Sequence, residues 1–421
     1  MTTLRARAVR VALAVASVTS SAAWAGGPPW SEPGSVPLGE LVASAAFTRE
    51  DEPLYRFPRA DGPRRGSVFA GARLPIFASR TGPGCETTWL MVGPMAWVCR
   101  AKVELSESAA IGANDAPPAR SDGLPYRYFF VGRGGSAAYG RIEFADEAEP
   151  EMELQPGFGV ALVDERLHGG QAYGRTHHGQ WVPMRDLVPV RPFLFQGEEV
   201  RDTGLDLAWV LDDGAATFKK PQLGSRTRET RGRLQVVRVR GEAGKGNDAF
   251  VQIGEELWRR ARDVRRPTRA EVPVEVGPGE RWIDVELATQ TLVAYEGSKP
   301  VFATVVSTGK GAPGTALGTP KGAFRIWVKL KSSTMDNLED ENASNVYAIE
   351  DVPHVQYFSK GVALHAAFWH RAFGRVRSHG CVNLSPLDAE RLFHFTGPHL
   401  PAGWSAVLPN EFERGTVVRV R

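Results

Sequence analysis

From Ser67 onward the chain is written in short apolar runs separated by turns: Val68-Phe69-Ala70, Leu74-Pro75-Ile76-Phe77, Thr88-Trp89-Leu90-Met91-Val92 and Ala96-Trp97-Val98. Such spacing predicts strands in a small barrel or sandwich. The pattern breaks at residues 265–280, where Pro267, Pro273 and Gly277-Pro278-Gly279 stand among charges with no helical period. Strands resume at Trp282-Ile283-Asp284-Val285-Glu286-Leu287 and Thr291-Leu292-Val293-Ala294-Tyr295, and the chain closes on the alternating Thr416-Val417-Val418-Arg419-Val420. One helix is predicted after Ser385-Pro386-Leu387-Asp388, which offers a cap residue, a proline at the first helical position and an acid at the third.

The front of the chain carries a weak internal echo. Trp181-Val182-Pro183-Met184-Arg185-Asp186-Leu187 resembles Trp258-Arg259-Arg260-Ala261-Arg262-Asp263-Val264, and Ala96-Trp97-Val98 resembles Ala208-Trp209-Val210. Two or three small SH3-like β-barrel units would account for it. The expected plan is mainly β. Residues 26–65 form a flexible lead-in, and three β units follow at 66–110, 120–195 and 200–267. A linker at 268–280 then leads into a C-terminal domain at 281–421.

Composition adds little to this until the ends and the cysteines are considered. Apolar residues are 42% and charged residues 24%, ordinary globular values that allow a buried core. Arg5, Arg7 and Arg10 precede an Ala/Val-rich run that ends in Ala23-Trp24-Ala25, the pattern of a signal peptide over residues 1–25. Its removal takes the formal charge from +3 to 0, so charge gives no reason to invoke nucleic acid. The mature chain is expected outside the cytoplasmic membrane, in the periplasm or cell wall, without stable insertion. In an oxidising compartment Cys85 and Cys99 are a disulfide candidate, which leaves Cys381 as an unpaired thiol that needs a reason to be there.

That reason lies in its neighbours. Leu364-His365-Ala366, Phe368-Trp369-His370 and Ser378-His379-Gly380-Cys381-Val382-Asn383 fall within twenty residues of one another. A thiol is a strong nucleophile only as thiolate, and a nearby imidazole can take its proton and later return it to a leaving amine. His365 and His379 are the candidates for that task. Gly380 suits a tight turn whose N–H groups could stabilise an oxyanion.

The hexamer Ser378-His379-Gly380-Cys381-Val382-Asn383 with the upstream His365 resembles the signature of the L,D-transpeptidase catalytic domain, the YkuD-like type. Gly318-Thr319-Pro320-Lys321-Gly322, Ile349-Glu350-Asp351-Val352-Pro353 and Tyr357-Phe358 are similar to further pieces of that family. The resemblance covers residues 281–421 and implies a β-sandwich domain acting on peptidoglycan stem peptides. It implies that Cys381 is the nucleophile and that His365 is the base, its other nitrogen held by the carbonyl of Ala366. His379, Gly380 and Cys381 would supply oxyanion N–H groups, with Ser378 and Asn383 ordering the turn and Tyr357 and Trp369 lining the substrate groove. The family usually has glycine where Ala366 stands, and the added methyl would crowd the substrate.

No cofactor and no metal are required for acyl transfer by thiol, imidazole and backbone dipoles. A zinc site built from His365, His370, His379 and Cys381 lacks the usual ligand spacing, and His177-His178 reads as a solvated loop. Two other functions stay open at this level. One is a non-catalytic wall-binding scaffold; the other changes the acceptor to water or a protein lysine, giving an L,D-carboxypeptidase or a protein-to-peptidoglycan ligase.

Overall fold

The computed structural model describes residues 44–110, 120–147, 149–201, 204–338 and 346–421. The signal peptide at 1–25 and the lead-in up to residue 43 lie outside the described residues.

The C-terminal domain is built on two facing sheets, the first extended at its edge by a strand from residues 198–199. One is six-stranded, in the order Glu198–Glu199, Lys299–Val305, Thr291–Glu296, Arg281–Glu286, Val417–Val420 and Gly322–Arg325. The other contains Val328–Asp336, Ala348–Ser359, Val362–Ala366 and Val382–Leu384. Ile283, Val285, Leu292 and Phe302 from the first sheet pack against Phe358, Leu364, Ala366, Val382 and Leu384 from the second. Ala389 and Leu392 of the single long helix α1, Pro386–Phe395, join the same core. The sequence starts α1 as its residue types dictate. Ser385 Oγ accepts from Asp388 N–H at 3.2 Å, and Pro386 occupies the first turn, where its missing N–H costs nothing.

The strand Arg281–Glu286 is buried along four consecutive residues, because its sheet is covered on both faces. Ile283 and Val285 face the sandwich core, while Trp282 clusters with Phe195 at the end of the second front unit and with Leu207 and Trp209 of the third. Asp284, buried in the same strand, is paired with both Arg419 and Arg421.

The other front units also dock on this domain. Arg64–Val68 pairs antiparallel with Trp404–Val407, so the first unit extends a sheet of the C-terminal domain. The second packs Leu124, Tyr128 and Ala161 against Val352, Val355, Ala363 and Phe368.

The flexible lead-in therefore needs correction over 44–65. Ser44–Ala46, Glu52–Tyr55 and Arg64–Val68 are strands there, and Ala45, Phe47 and Leu54 are buried with Leu90 and Trp404. Its Gly, Pro and charged residues masked a few well-spaced apolar anchors. The expected linker at 268–280 carries no strand, but it is not free either. Ala270 is buried and its N–H donates to the Tyr295 hydroxyl at 3.0 Å.

The internal echo has a backbone counterpart. After Ala96–Cys99, Trp181–Pro183 and Leu257–Arg260 the chain makes a three-residue 3-10 turn and then enters another strand. In each case the N–H of the closing residue, Val103, Leu187 or Val264, bonds the carbonyl three residues back. Trp209 does not share this place, since it lies in a strand that pairs with the one after the turn.

Cys85 and Cys99 are joined by a disulfide with Cα atoms 5.6 Å apart, and the two lie beside Trp89 and Trp97. Among the described residues no helix is long and apolar enough to cross a membrane.

Candidate active site

The site is built where two short strands run parallel. Val362–Ala366 pairs with Val382–Leu384 so that His365 stands opposite Asn383, with Leu364 opposite Val382 and Ala366 opposite Leu384. Side chains alternate along a strand. Leu364, Ala366, Val382 and Leu384 therefore point into the sandwich core, and Ala363, His365, Cys381 and Asn383 share the other face.

This register settles where the methyl of Ala366 goes. The residue is fully buried in the sandwich core, on the face opposite the thiol, and its φ is not positive. The expected crowding of substrate by this methyl is corrected accordingly. Its carbonyl stays on the site side and accepts from His365 Nδ1 at 2.8 Å. That bond places the His365 hydrogen on Nδ1 and leaves the Nε2 lone pair free. Burial lowers the His365 pKa from 6.5 to about 4, against a raising effect of the Ala366 bond, so the ring is neutral at physiological pH. The Trp369 ring stacks on His365 at 5.8 Å between centroids.

Cys381 is a half-buried free thiol. Its sulfur lies 3.8 Å from the Gly361 carbonyl, and burial pushes its pKa above the ordinary thiol value. The resting pair is thus thiol and neutral imidazole.

The turn that carries it is tightly braced. Gly380 has φ of 131°, a conformation that disfavours any side chain. Ser378 Oγ donates to the Cys381 carbonyl and accepts from Gly380 N–H at 3.1 Å. This corrects the expected oxyanion role of Gly380, because that N–H is already committed. Thr319, buried in the loop after the glycine-rich segment, donates through Oγ1 to the Gly380 carbonyl at 2.6 Å and accepts from Gly309 N–H at 2.9 Å.

Asn383 does more than order its own turn. Its backbone N–H and C=O both bond Ser307, and its side-chain amide lies 2.9 Å from His370 Nε2. His370 Nδ1 accepts from Ala372 N–H at 3.1 Å, so this neutral ring carries its hydrogen on Nε2. That hydrogen needs an acceptor, and we assign the Asn383 Oδ1 to it by rotating the amide, which also satisfies an otherwise unpaired buried oxygen. Burial lowers His370 to about 3, helped by Arg377 and His365.

His379 sits apart from this network. It is exposed and stacks on Tyr347 at 5.5 Å, its pKa lowered by partial burial, Lys310 and Arg377. Among the described residues it makes no hydrogen bond to the thiol. Tyr357 is half-buried beside Cys381, its ring 5.7 Å from Trp327. Burial raises its pKa first, and the nearby Cys381 raises it further. The four residues weighed as a zinc site do not converge: His370 is tied to Asn383, and His379 is turned outward. Thr319 has no role in the sequence reading, and His370 enters it only as a candidate zinc ligand. The signal was present in Phe368-Trp369-His370 and Gly318-Thr319-Pro320, but neither stretch says which atom it would meet.

Residues 280–420 match the family model described as the L,D-transpeptidase catalytic domain, YkuD. Among solved structures the chain is similar to an Enterococcus faecium L,D-transpeptidase in a cysteine-to-serine mutant form. The identity is 24% over 38% of this chain and 55% of that one, with a TM-score of 0.26. An L,D-transpeptidase from Stackebrandtia nassauensis is 27% identical over 35% of this chain and 57% of that one, with a TM-score of 0.24. The catalytic domain of the Enterococcus faecium enzyme, solved by NMR, is 25% identical over 34% of this chain and 98% of that one, with a TM-score of 0.26. The chain spans a little over half the length of the first two. No curated protein matches it.

Proposed function

We propose that this chain, whose residues 280–420 match the L,D-transpeptidase catalytic domain of the YkuD type, is an exported cysteine acyltransferase that cross-links peptidoglycan stems through Cys381. The observation that carries the reading is the parallel register that puts His365 and Cys381 on one sheet face, with His365 held as the Nδ1–H tautomer by Ala366.

In the proposed sequence His365 Nε2 takes the Cys381 thiol proton as sulfur attacks the carbonyl of an L,D-peptide bond. The N–H groups of His379 and Cys381 face the developing oxyanion, Gly380 N–H being spent on Ser378. The tetrahedral intermediate collapses by expelling the terminal D-residue. His365 delivers the proton to the leaving nitrogen, and a thioester remains. An amine of a second stem then loses its proton to His365, attacks the thioester and regenerates the thiol. Tyr357 and Trp369 flank the groove, and the chain's own residues supply every proton transfer. The disulfide between Cys85 and Cys99 supports an oxidising compartment.

The test is mass spectrometry of disaccharide-tetrapeptides incubated with the mature chain beside Cys381→Ala. Loss of a terminal D-residue with dimer formation, absent in the variant, is expected. Loss without dimers would make water the acceptor and the chain a carboxypeptidase. No reaction with the active protein would overturn the cross-linking reading in favour of a protein acceptor or a wall-binding scaffold.

A further inference from the structure

His177 and His178, read from the sequence as a solvated loop, are at the tip of the hairpin between Gln171–Thr176 and Trp181–Pro183, in the second front unit. The hairpin tip lies against the catalytic domain at Asp351. His177 Nδ1 and His178 Nε2 are each 3.2 Å from Asp351 Oδ2, and the three atoms lie within 4.8 Å of one another.

Three features distinguish this group from an ordinary ion pair. First, Asp351 Oδ2 and His177 Nδ1 are both buried without a hydrogen-bond partner, although they are close. Asp351 itself is 4% exposed, and an unpaired carboxylate oxygen at that depth is costly unless something fills the space it faces. Second, the other side-chain polar atoms of His177 and Asp351 are already engaged. His177 Nε2 meets the Tyr126 hydroxyl at 3.0 Å, and Asp351 Oδ1 accepts from Ser332 Oγ at 3.0 Å. A hydrogen on Nε2 leaves the Nδ1 lone pair pointing at Asp351, the outer-shell arrangement that fixes metal-binding histidines. Third, the backbone is bent to aim the carboxylate. Ser333 pairs with Val352 and Met335 with Ile349, so Glu350 and Asp351 oppose the single residue Thr334, and Asp351 has φ of 50°. Bulges of this kind re-aim a side chain.

We propose that His177 Nδ1, His178 Nε2 and Asp351 Oδ2 bind a zinc-class divalent ion that clamps the second front unit to the catalytic domain. Two imidazoles and a carboxylate suit zinc, and ligands about 2.0 Å from a tetrahedral ion stand about 3.3 Å apart, close to the two short separations here. The partly exposed His178 leaves a side open for a water as fourth ligand. The ion holds the strand Ala348–Ser359, which also carries Tyr357, and so fixes one wall of the groove next to Cys381.

The experiment strips the full mature chain with a chelator, dialyses it against zinc chloride and counts bound metal by mass spectrometry. Cobalt is then substituted to read the visible spectrum. One zinc per chain and a tetrahedral cobalt spectrum are expected, with Cys381→Ala unchanged. His178→Ala, at an exposed position, and Asp351→Asn should lose the metal. Tyr126→Phe should weaken it by about 10–100-fold. A chain that takes up no zinc after stripping, or a His178→Ala variant that retains it with an unaltered cobalt spectrum, would overturn the site and leave a plain ion-pair cluster. None of these readouts depends on transpeptidation.

Discussion

Asn383 and His370 meet at 2.9 Å directly behind the cysteine turn, each almost wholly buried. Asn383 is also the register partner of His365, so one residue links the proposed base to a second imidazole. Asn383→Ala leaves the His370 Nε2–H unpaired in the interior, at a cost of about 1–3 kcal/mol. A lower thermal midpoint is expected together with slower turnover and nearly unchanged KM. Midpoint and turnover both equal to those of the parent would refute the positioning role.

His365→Gln tests the proposed base. Glutamine can still bond the Ala366 carbonyl but cannot carry the thiol proton, so the acyl-transfer rate should fall by about 10²–10⁴-fold with folding intact. Thiol alkylation offers an independent view. Its rate at Cys381 should keep rising beyond the ordinary thiol range as pH increases, because burial pushes that thiol up. An alkylation midpoint well below that range would show a preformed thiolate and argue against the neutral resting pair.

Ala366→Gly should be nearly silent in turnover. The methyl packs in the sandwich core on the face away from the thiol, and only the carbonyl serves His365. The expected cost is in stability, about 0.5–1 kcal/mol for glycine in a strand interior. A large gain in turnover would mean that this methyl limits substrate access after all.

Much of this was legible in the sequence because the informative signals are local. The Ser378–Asn383 hexamer, the Ser385-Pro386 helix start and the alternation of apolar residues each span a few positions, and each leads to a turn, a cap or a strand in the structure. The repeated 3-10 corners behind the Trp181 and Trp258 echo were visible as texture for the same reason. What stayed hidden depends on distant segments meeting. Thr319 reaches Gly380, His370 reaches Asn383, and His177 reaches Asp351 only after the sheets assemble. The burial of residues 44–65 was missed because composition there reports the many surface positions, whereas three or four anchors decide the fold.

Removing the disulfide should weaken the first front unit selectively. Cys85 and Cys99 close a loop fourteen residues apart, for which chain entropy gives about 3 kcal/mol. A double serine variant should therefore unfold earlier, by a few kcal/mol at most, while retaining Cys381 chemistry in the folded fraction. Equal denaturant midpoints with and without the bridge would show that the packing of Trp89 and Trp97 alone holds this unit.

Acid should destabilise the folded chain as pH falls below the ordinary histidine value of 6.5. Burial holds His354, His365 and His370 neutral, at about 4, about 4 and about 3 against an ordinary 6.5. As pH falls below 6.5 the unfolded chain takes up these protons and the folded one does not. Each histidine thus contributes stability that is fully present above 6.5 and is lost progressively down to its folded value. Asp388 works the other way. Burial raises it from 3.8 to about 6, so it costs stability above that range and the cost fades as pH falls toward 3.8. Buried Glu350 shifts in the same direction as Asp388. Burial raises the Asp351 pKa, but the adjacent His177 and His178 outweigh it and hold the carboxylate well below its ordinary range, so Asp351 contributes a loss only at pH below about 4. The falls of His354, His365 and His370 from 6.5 to about 4, about 4 and about 3, at about 1.4 kcal/mol per pH unit, exceed the rise of Asp388 from 3.8 to about 6. A net loss on the order of a few kcal/mol is therefore expected between pH 6.5 and 4. Urea midpoints across this window measure it, and His354→Phe, at a buried ring beside Phe393, should flatten the slope. A midpoint that rises on acidification would mean that Asp388 and Glu350 dominate.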